Sequence, residues 1–275
     1  MASNANFTKQ TPTLRTQGYG VTERRDAWWW EQVFTLVALG GFSVYAFWAV
    51  SQNAYFEAGP YLSPFYSPNL AHMFPALAQW LPFSPAFLVL WIPLGFRGTC
   101  YFYRRTYYRA IFNSPPACAV DKPKGTPANY TGERGFPFVL QNLHRYFLYF
   151  AIVLAAFQWV HVAHAFSYNG QLGFGLGTLI MLADAILLTL YVFSCHSVRH
   201  AIGGRLNTFT NGWLSKFRFK VWGLQTVFNQ EHWFYAWASL FTVGLADVYI
   251  RLLAMGVLQD WNTWGWTGTY LGCAG

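Results

Sequence analysis

Residues Phe174–Arg199 read FGLGTLIMLADAILLTLYVFSCHSVR. Between Phe174 and Cys195 the only charged side chain is Asp184; then His196, Arg199 and His200 arrive within five residues. An apolar run of this length meets the roughly 20 residues that a bilayer-spanning helix needs. Four more such runs surround Gln32–Ser51, Phe83–Phe102, Phe138–His161 and His232–Met255. The basic residues sort between them. Lys9, Arg15, Arg24 and Arg25 precede the first run. Arg97, Arg104, Arg105, Arg109, Lys122, Lys124, Arg134 and Arg145 cluster between the second and third. Arg199, Arg205, Lys216, Arg218 and Lys220 follow the fourth. Only Arg251, of 18 Lys and Arg, falls near the opposite end. Basic loops stay on the cytoplasmic side during insertion. The pattern therefore predicts five spans, with the N-terminus cytoplasmic and the C-terminus external.

Composition agrees. The chain is 54% hydrophobic, 21% aromatic and 10% charged, against about a quarter charged in soluble domains. The predicted fold is an all-α integral membrane bundle. A cytoplasmic arm over 1–30 ends in the interfacial anchor Trp28-Trp29-Trp30. The membrane domain covers 31–258, with spans at about 32–51, 83–112, 138–165, 174–202 and 232–256, and an external tail covers 259–275. The second span is expected to run on through the aromatic and basic stretch to Phe112, where Asn113-Ser114-Pro115-Pro116 stops it. The first 27 residues are polar and lack the apolar core of a signal peptide. No internal repeat is evident. The net charge of +8 lies on the cytoplasmic side, where anionic headgroups and an acidic partner are its counterparts rather than nucleic acid.

This topology brings cysteines and histidines to one face. Cys100 lies near the inner end of span two, Cys118 in the loop after it, and His144 near the start of span three. Cys195, His196 and His200 end span four, and His232 begins span five. His196 and His200, at i and i+4, share one helical face. Two cysteines with two histidines suit three metal groups. One is structural zinc, which normally organises small soluble domains. Another is haem b held by one histidine from each of two helices. The third is a Rieske-type [2Fe–2S] cluster, with two cysteines on one iron and two histidines on the other. Neutral imidazoles raise the potential of such a cluster, which suits electron transfer to a quinone at a bilayer. On a continuous helix Cys195 points about 100° away from His196. The first expected ligand set is therefore Cys100, Cys118, His196 and His200, with Cys195 and His144 as reserves.

His161 and His164 lie at the outer end of span three, roughly 25 Å from His144 at 1.5 Å per residue; they are not expected to hold a cofactor. Asp184, mid-span, is either a functional carboxyl or an acid hydrogen-bonded to a neighbouring helix. Asp247 and Arg251, at i and i+4, are expected to pair.

Four of these stretches carry a resemblance. They are Gly95-Phe96-Arg97-Gly98-Thr99-Cys100-Tyr101, Ser114-Pro115-Pro116-Ala117-Cys118, Asn142-Leu143-His144-Arg145-Tyr146 and Cys195-His196-Ser197-Val198-Arg199-His200. Together they resemble the membrane-anchor subunit of actinobacterial succinate dehydrogenase, over about Arg97 to Leu253. The resemblance implies a respiratory complex II in a bacterial plasma membrane. A flavoprotein subunit would oxidise succinate, an iron–sulfur subunit would carry the electrons, and this anchor would dock that subunit and reduce quinone. Related five-helix anchors bind two haems. Here the cysteines join the inner histidines and the outer histidines crowd onto one helix, which favours the [2Fe–2S] reading over the dihaem alternative.

Overall fold

The computed structural model describes residues 25–112, 133–204 and 206–266. Cys118, Cys273 and most of the N-terminal arm lie outside the described residues. The chain is mostly helical. Four helical segments are long and apolar enough to cross a membrane: Trp30–Gln52, Phe138–His164, Leu176–Phe193 and His232–Ala254. We label the main helices α1 (Trp30–Gln52), α2 (Phe87–Gly98), α3 (Tyr101–Ala110), α4 (His144–His164), α5 (Leu176–Phe193), α6 (His196–Gly203), α7 (Gly212–Gln230) and α8 (His232–Ala254). A 3₁₀ turn, Phe138–Leu143, leads into α4.

α2 is apolar but only 12 residues long, and its course is set by its neighbours. Phe87, at its start, packs on Phe47 near the end of α1, with ring centroids 5.9 Å apart. Arg105, in α3, pairs with Glu31 at the start of α1. The α2–α3 segment thus runs antiparallel to α1 and returns the chain to the level at which α1 begins. Gly95 allows α2 to press on α4: a Cβ there would lie 2.3 Å from Phe147 Cζ.

Two expected helices are broken. The second span does not continue to Phe112 as one helix; it ends at Gly98, and α3 starts at Tyr101. The fourth does not continue to 202; it ends at Phe193, and α6 starts at His196. In both breaks the cysteine is extended, with φ/ψ of −62°/134° at Cys100 and −62°/139° at Cys195. Each is the N-cap of the helix that follows.

The end opposite the cysteines is tied by buried polar groups. Asp247 and Arg251 pair as expected, at 2.7 Å. Arg251 also donates to the carbonyls of Ala49 and Ala54, both at 2.8 Å. Tyr45, from α1, donates to Asp247 at 2.5 Å, and Ser63 donates to its other oxygen. Asp260 accepts from Tyr61 and Tyr249, both at 2.6 Å, and from the Gly177 amide at 3.1 Å. In mid-membrane, Asp184 accepts a hydrogen bond from Thr242 of α8 at 2.9 Å. These bonds satisfy groups that hydrocarbon cannot solvate.

Candidate metal centre

The helix breaks build the site. Ending α2 at Gly98 and α5 at Phe193 turns the sulfurs of Cys100 and Cys195 inward, and both cysteines are fully buried. His144 and His232 are the first residues of α4 and α8, so four helix ends each contribute one donor at one depth. His144 Nε2 lies 3.1 Å from Cys195 Sγ. His232 Nε2 lies 3.4 Å from Cys100 Sγ. Both histidines are buried.

Their other ring nitrogens are also engaged. Thr99 Oγ1 lies 3.0 Å from His144 Nδ1, and Ser194 Oγ lies 2.7 Å from His232 Nδ1. Each hydroxyl donates its one proton to a carbonyl behind it, Thr99 to Gly95 at 2.7 Å and Ser194 to Tyr191 at 3.2 Å. The hydroxyl oxygens therefore accept from Nδ1–H, and each Nε2 lone pair is left facing a sulfur. Aromatic rings complete the arrangement. Phe96 stacks on His144 at 4.7 Å, and Tyr191 stacks on His232 at 5.2 Å.

The expected residues divide accordingly. His196 joins the group: its ring stacks on His144 at 5.5 Å, and its Nδ1 is 3.9 Å from Cys195 Sγ. The ligand atoms of His144, Cys195 and His196 lie within 4.8 Å of one another. The predicted divergence of Cys195 and His196 fails because the extended backbone at Cys195 interrupts the helix on which it was based. His196 and His200 are both exposed, and the ring of His200, one turn on, lies beside Gly204. It does not join the three-ligand group, because the break re-aims α6. The two reserves, Cys195 and His144, are central. His232 was visible in the sequence at the correct level but belonged to no expected ligand set.

The two thiols and His196 stand beyond the ends of the spanning helices. Burial pushes the Cys100 thiol up. Burial, with Cys100 adding to it, pushes Cys195 up to about 12. Burial, then the charge of Arg104, pulls the His196 imidazole down. The cavity thus disfavours thiolates, and a bound cation is what makes thiolates favourable there. The donor set fits a [2Fe–2S] cluster: two thiols and two imidazoles with free lone pairs in a dry pocket. It fits two-histidine haem ligation poorly, because each buried Nε2 faces a sulfur instead of the other imidazole.

α7 closes the site from the side. Gln225 donates to the Phe193 and Cys195 carbonyls at 3.2 and 3.0 Å, and Asn229 donates to the Ser194 carbonyl at 2.6 Å. A cleft of about 390 Å³ opens beside it, bordered by Tyr101, Phe102, Arg105, His196, His232 and Trp233. At the opposite end of the bundle His161 and His164, with rings 6.4 Å apart, line a separate cleft with His72.

Residues 30–256 match the family model of the actinobacterial succinate dehydrogenase subunit SdhC. The fold is similar to a chain of the Mycobacterium smegmatis Sdh1 complex in the apo form, with a TM-score of 0.77 and 37% sequence identity. That likeness covers 94% of this chain and 98% of the other. No curated protein matches. With the family matched over most of its length and its apolar helices suited to a bacterial plasma membrane, this multi-pass chain belongs to the actinobacterial SdhC membrane subunits of succinate dehydrogenase.

Proposed function

We propose that this subunit anchors the flavoprotein and iron–sulfur subunits of succinate dehydrogenase and passes their electrons to quinone through a Rieske-type [2Fe–2S] cluster. The ligands are Cys100, Cys195, His144 and His232, one from each of four helix ends. The observation that carries the reading is the meeting of two buried cysteine sulfurs with two histidine lone pairs at 3.1 and 3.4 Å. When bound, such a cluster supplies a one-electron carrier of raised potential. The chain's own residues exclude water from it and keep both imidazoles in one tautomer. The quinone ring belongs in the neighbouring cleft, between the aromatic walls of Tyr101 and Trp233, with Arg105 as a donor to a carbonyl. Reduction to quinol takes up two electrons from succinate and two protons from the cytoplasmic side.

The topology that goes with this function has five crossings, N-terminus in and C-terminus out. It is supported by the return of α2 and α3 to the level of Glu31 and by the alternation of basic loops.

The test is an electron paramagnetic resonance spectrum of the purified, dithionite-reduced complex, with its iron and zinc content. A Rieske-type signal, lost in His144→Ala and in His232→Ala while succinate oxidation by a soluble dye persists, is expected. Stoichiometric zinc without that signal would replace the cluster with a structural Cys2His2 site. Haem bands would overturn the ligand assignment.

A further inference from the structure

The site is a local pseudo-repeat that the sequence conceals. Phe96, Thr99 and Cys100 stand at the same spacing as Tyr191, Ser194 and Cys195. The backbones match. Thr99 and Ser194 amides donate to carbonyls four residues back, at 2.9 and 2.8 Å, and the cysteine amides to carbonyls three back, at 3.1 and 3.2 Å. In each half the aromatic ring stacks on a histidine, the hydroxyl accepts from its Nδ1–H, and its Nε2 faces the cysteine of the other half.

We infer that Thr99 and Ser194 are matched positioning residues, which fix the tautomers of His144 and His232 and set the electron affinity of the group those histidines hold. This rests on the cluster reading above. Back-bonding of Ser and Thr to a carbonyl one turn away is common in helices and carries no function by itself. Here both oxygens, once their protons are spent, point at an imidazole whose far nitrogen faces a thiol. Two such coincidences at equivalent positions are a designed pair of outer supports. Among the described residues His196 has no such hydroxyl, and this marks it as a neighbour of the centre instead of a ligand. An acceptor on Nδ1–H makes the imidazole a stronger donor and favours the oxidised state. Removing the acceptor raises the potential.

Thr99→Val and Ser194→Ala are compared with Thr99→Ser and Ser194→Thr in the assembled complex, by paramagnetic resonance during redox titration. Assembly is followed by succinate oxidation with a soluble dye. Altered g-values and a higher midpoint potential in Thr99→Val and Ser194→Ala are expected, with native values in the two hydroxyl-retaining variants. If either deletion variant fails to assemble, the other half-site decides alone. A native signal and potential reproduced unchanged in Thr99→Val and Ser194→Ala overturns this inference alone. A native complex without any such signal overturns the cluster reading and this inference with it. Retention of the signal in His196→Ala is the accompanying expectation; its loss would make His196 a ligand and remove the hydroxyl as the distinguishing mark.

Discussion

Cys100 and Cys195, 95 positions apart in the chain, hold the same station: each is an extended N-cap between an apolar helix and a short polar one, and each faces the histidine bound to the other's preceding residue. The relationship is reciprocal, so neither sulfur is dispensable to the four-ligand centre proposed above. Cys100→Ala and Cys195→Ala should each abolish quinone reduction and the cluster's paramagnetic signal, while dye-linked succinate oxidation continues. Metal analysis of the purified variants checks it. Native iron content in either variant would remove that thiol from the ligand set.

The Asp247–Arg251 pair is a different kind of buried polar group. Its partners are on α1, α8 and the connection through Ser63, and both charges are almost wholly buried. Breaking a buried pair from one side typically costs about 3–5 kcal/mol, because the remaining charge is stranded. Asp247→Ala should therefore lower the thermal midpoint of the detergent-solubilised complex sharply. The Asp247→Ala, Arg251→Leu double variant should recover part of that loss. A single variant as stable as the double would show that the pair is not what ties this end together.

The long apolar runs, the Asp247–Arg251 pairing and the gathering of Cys and His at one face were legible in the sequence, because period, charge placement and helix spacing encode them directly. The close contacts made at that face were not. Nothing in Phe193-Ser194-Cys195 marks a stop, Gly98 is only a weak one beside a proline, and helix-continuing residues follow both. The breaks are settled by tertiary contacts: Thr99 and Ser194 bond histidines from other helices, and Gln225 and Asn229 take the carbonyls freed at the end of α5. Reading α5 as continuous set Cys195 and His196 apart, whereas the break brings their donor atoms to 3.9 Å. The expected repeat-free chain hid its repeat for the same reason, since only Cys and the hydroxyl–aromatic spacing recur.

Close approach of α2 to α4 keeps the Cys100 and His144 ends together, and Gly95 permits it. An alanine there would place Cβ 2.3 Å from the Phe147 ring. Overpacking of this kind costs about 1–3 kcal/mol. Gly95→Ala should destabilise the complex and broaden the spectrum of the proposed cluster, and Phe147→Leu should relieve both. A fully additive double variant, measured by thermal midpoint, would show that the helices do not meet there.

The basic-loop pattern makes a prediction about sidedness that uses two native cysteines. Cys118 follows the second apolar run and Cys273 follows the fifth, so an odd number of crossings separates them. With five spans and a cytoplasmic N-terminus, Cys273 should react with a membrane-impermeant maleimide in intact cells, and Cys118 only after permeabilisation. Cys100 and Cys195, buried, should stay silent until the complex is denatured, which leaves two informative thiols in an otherwise unmodified chain. Substituting Cys273 by Ser identifies its signal. Labelling of Cys118 from outside would mean either a reversed orientation or that α2, the shortest of the apolar helices, fails to cross. Equal access of both thiols from one side would mean that one of α4, α5 and α8, the apolar helices between them, fails to cross.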